Sequence, residues 1–152
     1  MPTTKIYIGS DHAGFKLKTI LEEYLKKAGY TVVDLGPSAY DEDDDYPDYI
    51  IPVAQKVAKD KGCKGIVLGG SGQGESLAAN KVKGIRAVVY YGGSMKIVTL
   101  SREHNDANVL SLGARFVSAQ EAKRAVKLWL ETPFSEEARH TRRLRKIAKY
   151  EQ

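Results

Sequence analysis

The stretch Gly65-Ile66-Val67-Leu68-Gly69-Gly70-Ser71-Gly72-Gln73-Gly74-Glu75-Ser76 decides the fold. It opens with a short apolar run ended by glycines, as expected of a strand buried on both faces. Four glycines within residues 69–74 then let the backbone bend tightly and turn its N–H groups toward a ligand. Ser76-Leu77-Ala78-Ala79-Asn80-Lys81 follows as a good helix former, so the loop is expected to end at a helix N-terminus. Such a terminus offers unpaired donors and a partial positive charge, both suited to an anion. The loop also carries a hydroxyl, Ser71, and a carboxylate, Glu75. A phosphate cradle needs no acid; a site that both creates and stabilises an anion has a use for one.

Working outward, short β-rich runs alternate with amphipathic stretches. Strands are expected over 5–9, 31–35, 65–68, 87–90 and 109–112. Helices are expected near 15–28, 49–61, 76–81, 94–101 and 119–131, with a basic tail helix over 135–150. Phe15, Leu17, Ile20, Leu21, Tyr24 and Leu25 keep the three-to-four spacing of a helix laid on a sheet. The rhythm predicts a Rossmann-like three-layer α/β/α sandwich with a five-stranded parallel sheet and an extended C-terminal helix. No repeat, low-complexity tract or linker divides the chain, so residues 1–152 are expected to form one domain. In such sheets ligands sit beyond the carboxyl ends of the strands. Ser10-Asp11-His12-Ala13-Gly14 follows the first strand, His104-Asn105-Asp106 precedes the fifth and Gly113-Ala114-Arg115 follows it. Polar groups able to do chemistry thus recur at the predicted rim.

The composition, 42% hydrophobic and 28% charged, is that of an ordinary soluble protein, and no apolar run is long enough to cross a bilayer. No signal peptide is read at Met1-Pro2-Thr3-Thr4-Lys5, and the lone Cys63 fits a reducing, cytoplasmic setting. The net charge of +5 is unevenly spread. Residues 41–45 are all acidic, and a solvated loop is expected there; 139–149 hold six Lys or Arg and no acid. A basic tail can bind nucleic acid, but a surface helix with Leu144, Ile147 and Ala148 as a modest apolar stripe is the default.

Familiar labels for the glycine loop fail. It lacks the Gly-Lys-Ser/Thr ending of a P-loop and is one residue short of the dinucleotide fingerprint. A nucleophile elbow would need glycine at position 73, which is Gln73. His12, His104 and His140 are scattered without a close pair, and the acidic block lacks the spacing of a calcium loop. By spacing alone, Glu75 reads equally as a general base or as a helix-start acid favoured by the macrodipole, worth ~0.3–1 kcal/mol.

Taken together, Gly9–Gly14, Asp45-Tyr46-Pro47, Gly69–Glu75, Ala78-Ala79-Asn80-Lys81, Ser101–Asp106 and Arg139-His140-x-x-Arg143 resemble the ribose-5-phosphate isomerase type B family, which includes galactose-6-phosphate isomerase subunits. The resemblance spans nearly the whole chain. Many members carry a catalytic cysteine where this chain has Gly69. A second branch, with glycine there and glutamate as base, is more similar. Cys63 lies six residues too early to replace that thiol.

The resemblance implies aldose–ketose isomerisation of ribose 5-phosphate and ribulose 5-phosphate through an enediolate, without metal or cofactor. A hexose-6-phosphate (allose or galactose) isomerase on the same scaffold remains the alternative, as does a non-catalytic sugar-phosphate or nucleic-acid binder. In this reading Glu75 is the base, and Ser71 with the amides of Gly70, Gly72, Gln73 and Gly74 forms the anion hole. His104 is the ring-opening acid, assisted by Asp11. Arg139 and Arg143, one helical turn apart, grip the phosphate from a partner subunit, and His12, Asn105 and Arg115 complete the contacts. The expected partners are a sugar phosphate and a second copy, in a homodimer that could pair further into a tetramer, with neither nucleic acid nor membrane.

Overall fold

All five expected strands join one parallel sheet of order β2-β1-β3-β5-β4. The computed structural model describes residues 4–151. The strands are β1 (Lys5–Ser10), β2 (Thr31–Asp34), β3 (Lys64–Gly69), β4 (Ala87–Tyr90) and β5 (Val109–Gly113). The helices are α1 (Phe15–Lys27), α2 (Pro47–Lys59), α3 (Gln73–Ala79), α4 (Lys96–Glu103), α5 (Ala119–Glu131) and α6 (Ala138–Tyr150), with a 3-10 turn at His12–Gly14. The order reverses at β1: β2 lies on one side and β3 on the other. Connections leaving β1 and β3 therefore diverge and open a crevice at their carboxyl ends.

Two apolar clusters cover the two faces, which makes the sandwich three layers thick. Leu17, Leu21 and Leu25 of α1 join Trp129 of α5 and Val98 of α4 against Ile6, Ile8 and Leu68. On the other face Ile50, Val53 and Val57 of α2 join Ala78 and Ala79 of α3 against Tyr7, Val67 and Val109. Each such large side chain, fully buried, contributes ~1.5–3 kcal/mol. The apolar spacing read along α1 is thus the stripe that meets the sheet.

Several helix starts differ from those read in the sequence. α3 begins at Gln73, three residues before the expected Ser76, because the glycine loop supplies its own cap. Gly72 adopts the left-handed conformation (φ +81°) and the Ser71 hydroxyl accepts the Gln73 amide at 3.3 Å. α2 starts at Pro47, where a fixed φ and a missing N–H suit the first helical turn. α4 lies two residues later than read, and the tail helix starts at Ala138. In α6 the expected apolar stripe is not what docks: Ile147 is 56% exposed, whereas His140 is buried. The helix is held at both ends instead. The Ser135 amide and hydroxyl donate to the Glu103 carbonyl, and the Gly84 amide donates to the Glu151 carboxylate at 3.3 Å. No described helix is long and apolar enough to cross a membrane.

Candidate active site

Asp11 leaves β1 directly into the crevice. Its amide donates to the Leu68 carbonyl at 3.3 Å, and its carboxylate caps the 3-10 turn through the Gly14 amide at 3.1 Å. Across the crevice the glycine loop is tied down from β5: the Ser111 hydroxyl donates to the Gly72 carbonyl at 2.7 Å, and the Ala114 and Arg115 amides donate to the carbonyls of Gly69 and Gly70. Among the described residues no acceptor meets the amides of Gly70, Ser71 and Gly72. Three consecutive residues thus carry free donors. The Arg115 side chain lies over Gly70, and the Tyr46 ring packs against Gly74.

Glu75, in the first turn of α3, is only 4% exposed. Its carboxyl group presses on Gly69 so closely that a Cβ there would overlap the Glu75 Cδ and both carboxyl oxygens. Any side chain at position 69 must push that carboxyl aside. Burial drives the Glu75 pKa up, the neighbouring Asp11 adds to the rise, and Glu75's own backbone N–H opposes it. A carboxylate whose pKa rises toward neutrality is suited to taking and returning a proton.

His12 is held by an acid from another loop. Its Nδ1 lies 2.8 Å from Asp44 Oδ1, which also accepts the His12 amide at 3.2 Å. The Asp44 side chain is 3% exposed and its second oxygen has no protein partner. The Asp44 hydrogen bond raises the His12 pKa, against the effect of burial, and the charges of Asp11 and Asp44 add to it. With Nδ1 committed, Nε2 has no hydrogen-bond partner among the described residues.

The other expected site residues lie elsewhere. His104 ends α4 and Asn105 follows it, before the start of β5, so both sit at the amino edge of the sheet. The glycine loop lies beyond the carboxyl edge, a strand of five residues away, or ~16 Å. His104 stacks on His140 with ring centroids 4.1 Å apart. Burial and the His104 ring lower the His140 pKa, favouring the neutral imidazole. Arg139 and Arg143 flank His140 on the exposed side of α6. The rim read from the sequence, which grouped His104-Asn105-Asp106 with the residues after the strands, is therefore corrected. Glu75, Ser71, Asp11, His12, Gln73 and Arg115 gather at one edge, and His104 and Asn105 lie at the other, where Arg139 and Arg143 of α6 also sit. Residues before a parallel strand and residues after it are on opposite edges by construction.

Comparison with known proteins now decides the family. A family model described as Ribose/Galactose Isomerase matches residues 6–147. The chain belongs to that family. Ribose-5-phosphate isomerase B of Mycobacterium tuberculosis is 43% identical over 99% of this chain and 92% of that protein. A solved structure of ribose-5-phosphate isomerase B from Mycoplasma genitalium, with ribulose 5-phosphate bound, superposes with a TM-score of 0.94 at 44% identity, covering 99% of this chain and 98% of that one. The Clostridium thermocellum ribose-5-phosphate isomerase B gives 0.91 at 45% identity, covering 97% of each chain.

Membership makes the protein an isomerase. Two features of this isomerase escaped the sequence reading. Asp44 stands in the acidic block assigned to a solvated loop, yet it is the member that turns inward onto His12. Its neighbours Asp41, Glu42, Asp43 and Asp45 are exposed. Charge alone could not single it out; the nearness of Tyr46-Pro47, which starts α2, is the only local hint. Ser111 lies inside an apolar strand, where a lone hydroxyl signals a partner across the sheet. Cys63 stands at the amino end of β3, far from Glu75, with its thiol donating to the Asp60 carbonyl at 2.7 Å. Burial and the Asp60 carboxylate push its pKa up, so the thiol stays protonated. Among the described residues no three His, Cys, Asp or Glu side chains converge as metal ligands.

Proposed function

We propose that this isomerase interconverts ribose 5-phosphate and ribulose 5-phosphate through an enediolate with Glu75 as base. The observation that carries the reading is the buried Glu75 carboxyl, raised in pKa, beside a loop of unpaired amides at the strand-order reversal. From the open-chain aldose, Glu75 takes the C2 proton; the electron pair forms the C1–C2 double bond and O1 becomes the oxyanion. The O2 proton passes to O1, Glu75 returns its proton to C1, and O2 becomes the ketone oxygen. The Ser71 hydroxyl and the unpaired amides of Gly70, Ser71 and Gly72 face the developing charge, whereas the Gln73 amide, expected to join them, is taken by the Ser71 hydroxyl. Removing one such donor typically costs ~3–4 kcal/mol of transition-state stabilisation.

His104, with Asp11, opens the sugar ring, and Arg139 and Arg143 hold the phosphate together with His12, Asn105 and Arg115. Because these residues lie on two edges of one sheet, the complete site is assigned to a homodimer in which one subunit's amino edge closes over the other's crevice. Each chain acts as one domain, in the cytoplasm, on a free sugar phosphate.

Turnover of ribose 5-phosphate, allose 6-phosphate and galactose 6-phosphate compared side by side tests the substrate. The largest kcat/KM is expected for ribose 5-phosphate, and a larger value for either hexose phosphate would move the assignment to it. The shared site is tested by mixing two inactive variants, Glu75→Gln and Arg139→Ala. Re-associated dimers should regain about a quarter of native activity, since half are mixed and each mixed dimer holds one intact site of two. No recovery in demonstrably mixed dimers would place the whole site in one chain.

A further inference from the structure

The amino edge holds a cavity of about 240 Å³ between the last turn of α2, the start of β3, the end of α4 and the segments that lead into β4 and β5. Lys61, Lys64, Arg86 and Arg102 line it against a single carboxylate, Asp106, so four cations face one anion. Both arginines are partly spent on structure. Arg102, 6% exposed, donates to Asp106 Oδ1 at 2.8 Å and to the carbonyls of Ala107 and Thr132. Arg86 donates to the Asp106 carbonyl at 2.8 Å and places Nη2 3.5 Å from Asp106 Oδ2.

The lysines are not spent. Among the described residues neither Lys61 nor Lys64 has a carboxylate within 4.0 Å. Lys64 is half-buried, and burial together with the Arg102 guanidinium lowers its pKa, a fall that the Asp106 carboxylate opposes without cancelling. A part-buried ammonium facing like charge is unfavourable unless an anion answers it. The volume admits a phosphate group with a short carbon chain, and two ammonium groups with one guanidinium supply the donors that phosphate oxygens prefer.

We propose that this cavity is a second anion site, separate from the Glu75 crevice, that binds a small phosphate-bearing ligand through Lys61, Lys64 and Arg86. Its floor is mechanically linked to the catalytic turn. Asp106, held in the left-handed region at φ +45° by Arg86 and Arg102, lies two residues beyond His104. A ligand that draws Arg86 away from Asp106 loosens that turn, and bound phosphate thereby tunes the placement of His104 and Asn105. The consequence for turnover rests on the proposed function; binding itself does not.

Titrating inorganic phosphate into the protein while following amide resonances tests the site. Saturable shifts are expected at Gly62, Cys63 and Asn108, besides any at the glycine loop. Lys64→Gln and the exposed Lys61→Gln should each weaken the Gly62–Asn108 response about tenfold, and Arg139→Ala should leave it unchanged. Shifts confined to residues 70–74, linear shifts, or a response indifferent to both lysine variants would overturn the proposal. Repeating the titration with a nucleoside monophosphate separates the ligand sources: tighter binding than phosphate assigns an organic phosphate, weaker binding the inorganic ion. In ribose 5-phosphate turnover, added phosphate should change kcat in the native enzyme and not in Lys64→Gln. Binding with an unchanged kcat would overturn the link to the catalytic turn while leaving the site.

Discussion

The two edges of the sheet carry the same kinds of side chain and use them in opposite ways. At the carboxyl edge Glu75 is buried, pressed on Gly69, and among the described residues has no cation to pair with. At the amino edge Asp106 is partly exposed and neutralised by two arginines, and Glu137 pairs with Arg139. The histidines divide likewise. An acid raises the His12 pKa at the first edge, and burial against another imidazole lowers that of His140 at the second. Burial and pairing, rather than residue type, separate a carboxyl held buried with a raised pKa from one that fixes a turn.

The sharpest way to break the contrast is Glu75→Gln. The variant should keep KM within about threefold while kcat falls by roughly 10²–10⁴-fold. It should also be more stable at pH 7, by about 2–4 °C in Tm. The sign follows from the raised pKa: the fold favours the protonated form, so that stability is full below the ordinary value of 4.5 and lost as pH rises through the folded value. The gain from glutamine should therefore vanish on acidification. Near-native kcat would return Glu75 to a helix-start acid.

Gly69→Ala tests the same edge through packing. The added methyl needs the space of the Glu75 carboxyl, so turnover should drop about tenfold to a hundredfold, with a loss of ~1–3 kcal/mol in stability measured by denaturant. Unchanged activity would mean that the carboxyl works from another position.

Asp44→Asn should bring the His12 pKa down toward 6.5, read from its imidazole resonances, and raise KM by about threefold to tenfold. A raised histidine pKa contributes stability below its unfolded value and loses it as pH rises through the folded value. The variant should accordingly be destabilised on the acid side and match the native protein at high pH. A smaller effect still is expected of Cys63→Ser at the far edge: unchanged kcat, and a Tm within about 2 °C. Inactivation of a folded Cys63→Ser protein would revive a thiol mechanism.

Much of the fold was legible because its signals are local. Apolar runs of four to six residues mark strands, and the spacing of Leu17, Leu21 and Leu25 marks a helix laid on them. The glycine loop was legible as well, since clustered glycines and a following helix former speak within a dozen residues. Asp44 and Ser111 were not, because their roles are made by partners 32 and 39 residues away. The start of α3 was misread because Ser71 and Gly72 act as its cap from inside a stretch that looks like pure loop.

By itself, then, the sequence determined the alternation of strands and helices, the glycine loop with its acid, and the absence of any cysteine at position 69. Tertiary structure alone decided that β1 and β3 are neighbours, which sets Asp11 beside Glu75. It also separated His104 and the α6 arginines from that crevice by the height of the sheet. The physical reason is reach: periodicity and turn chemistry act over one or two helical turns, whereas strand order, burial and the pKa values that follow from them come from contacts between distant parts of the chain.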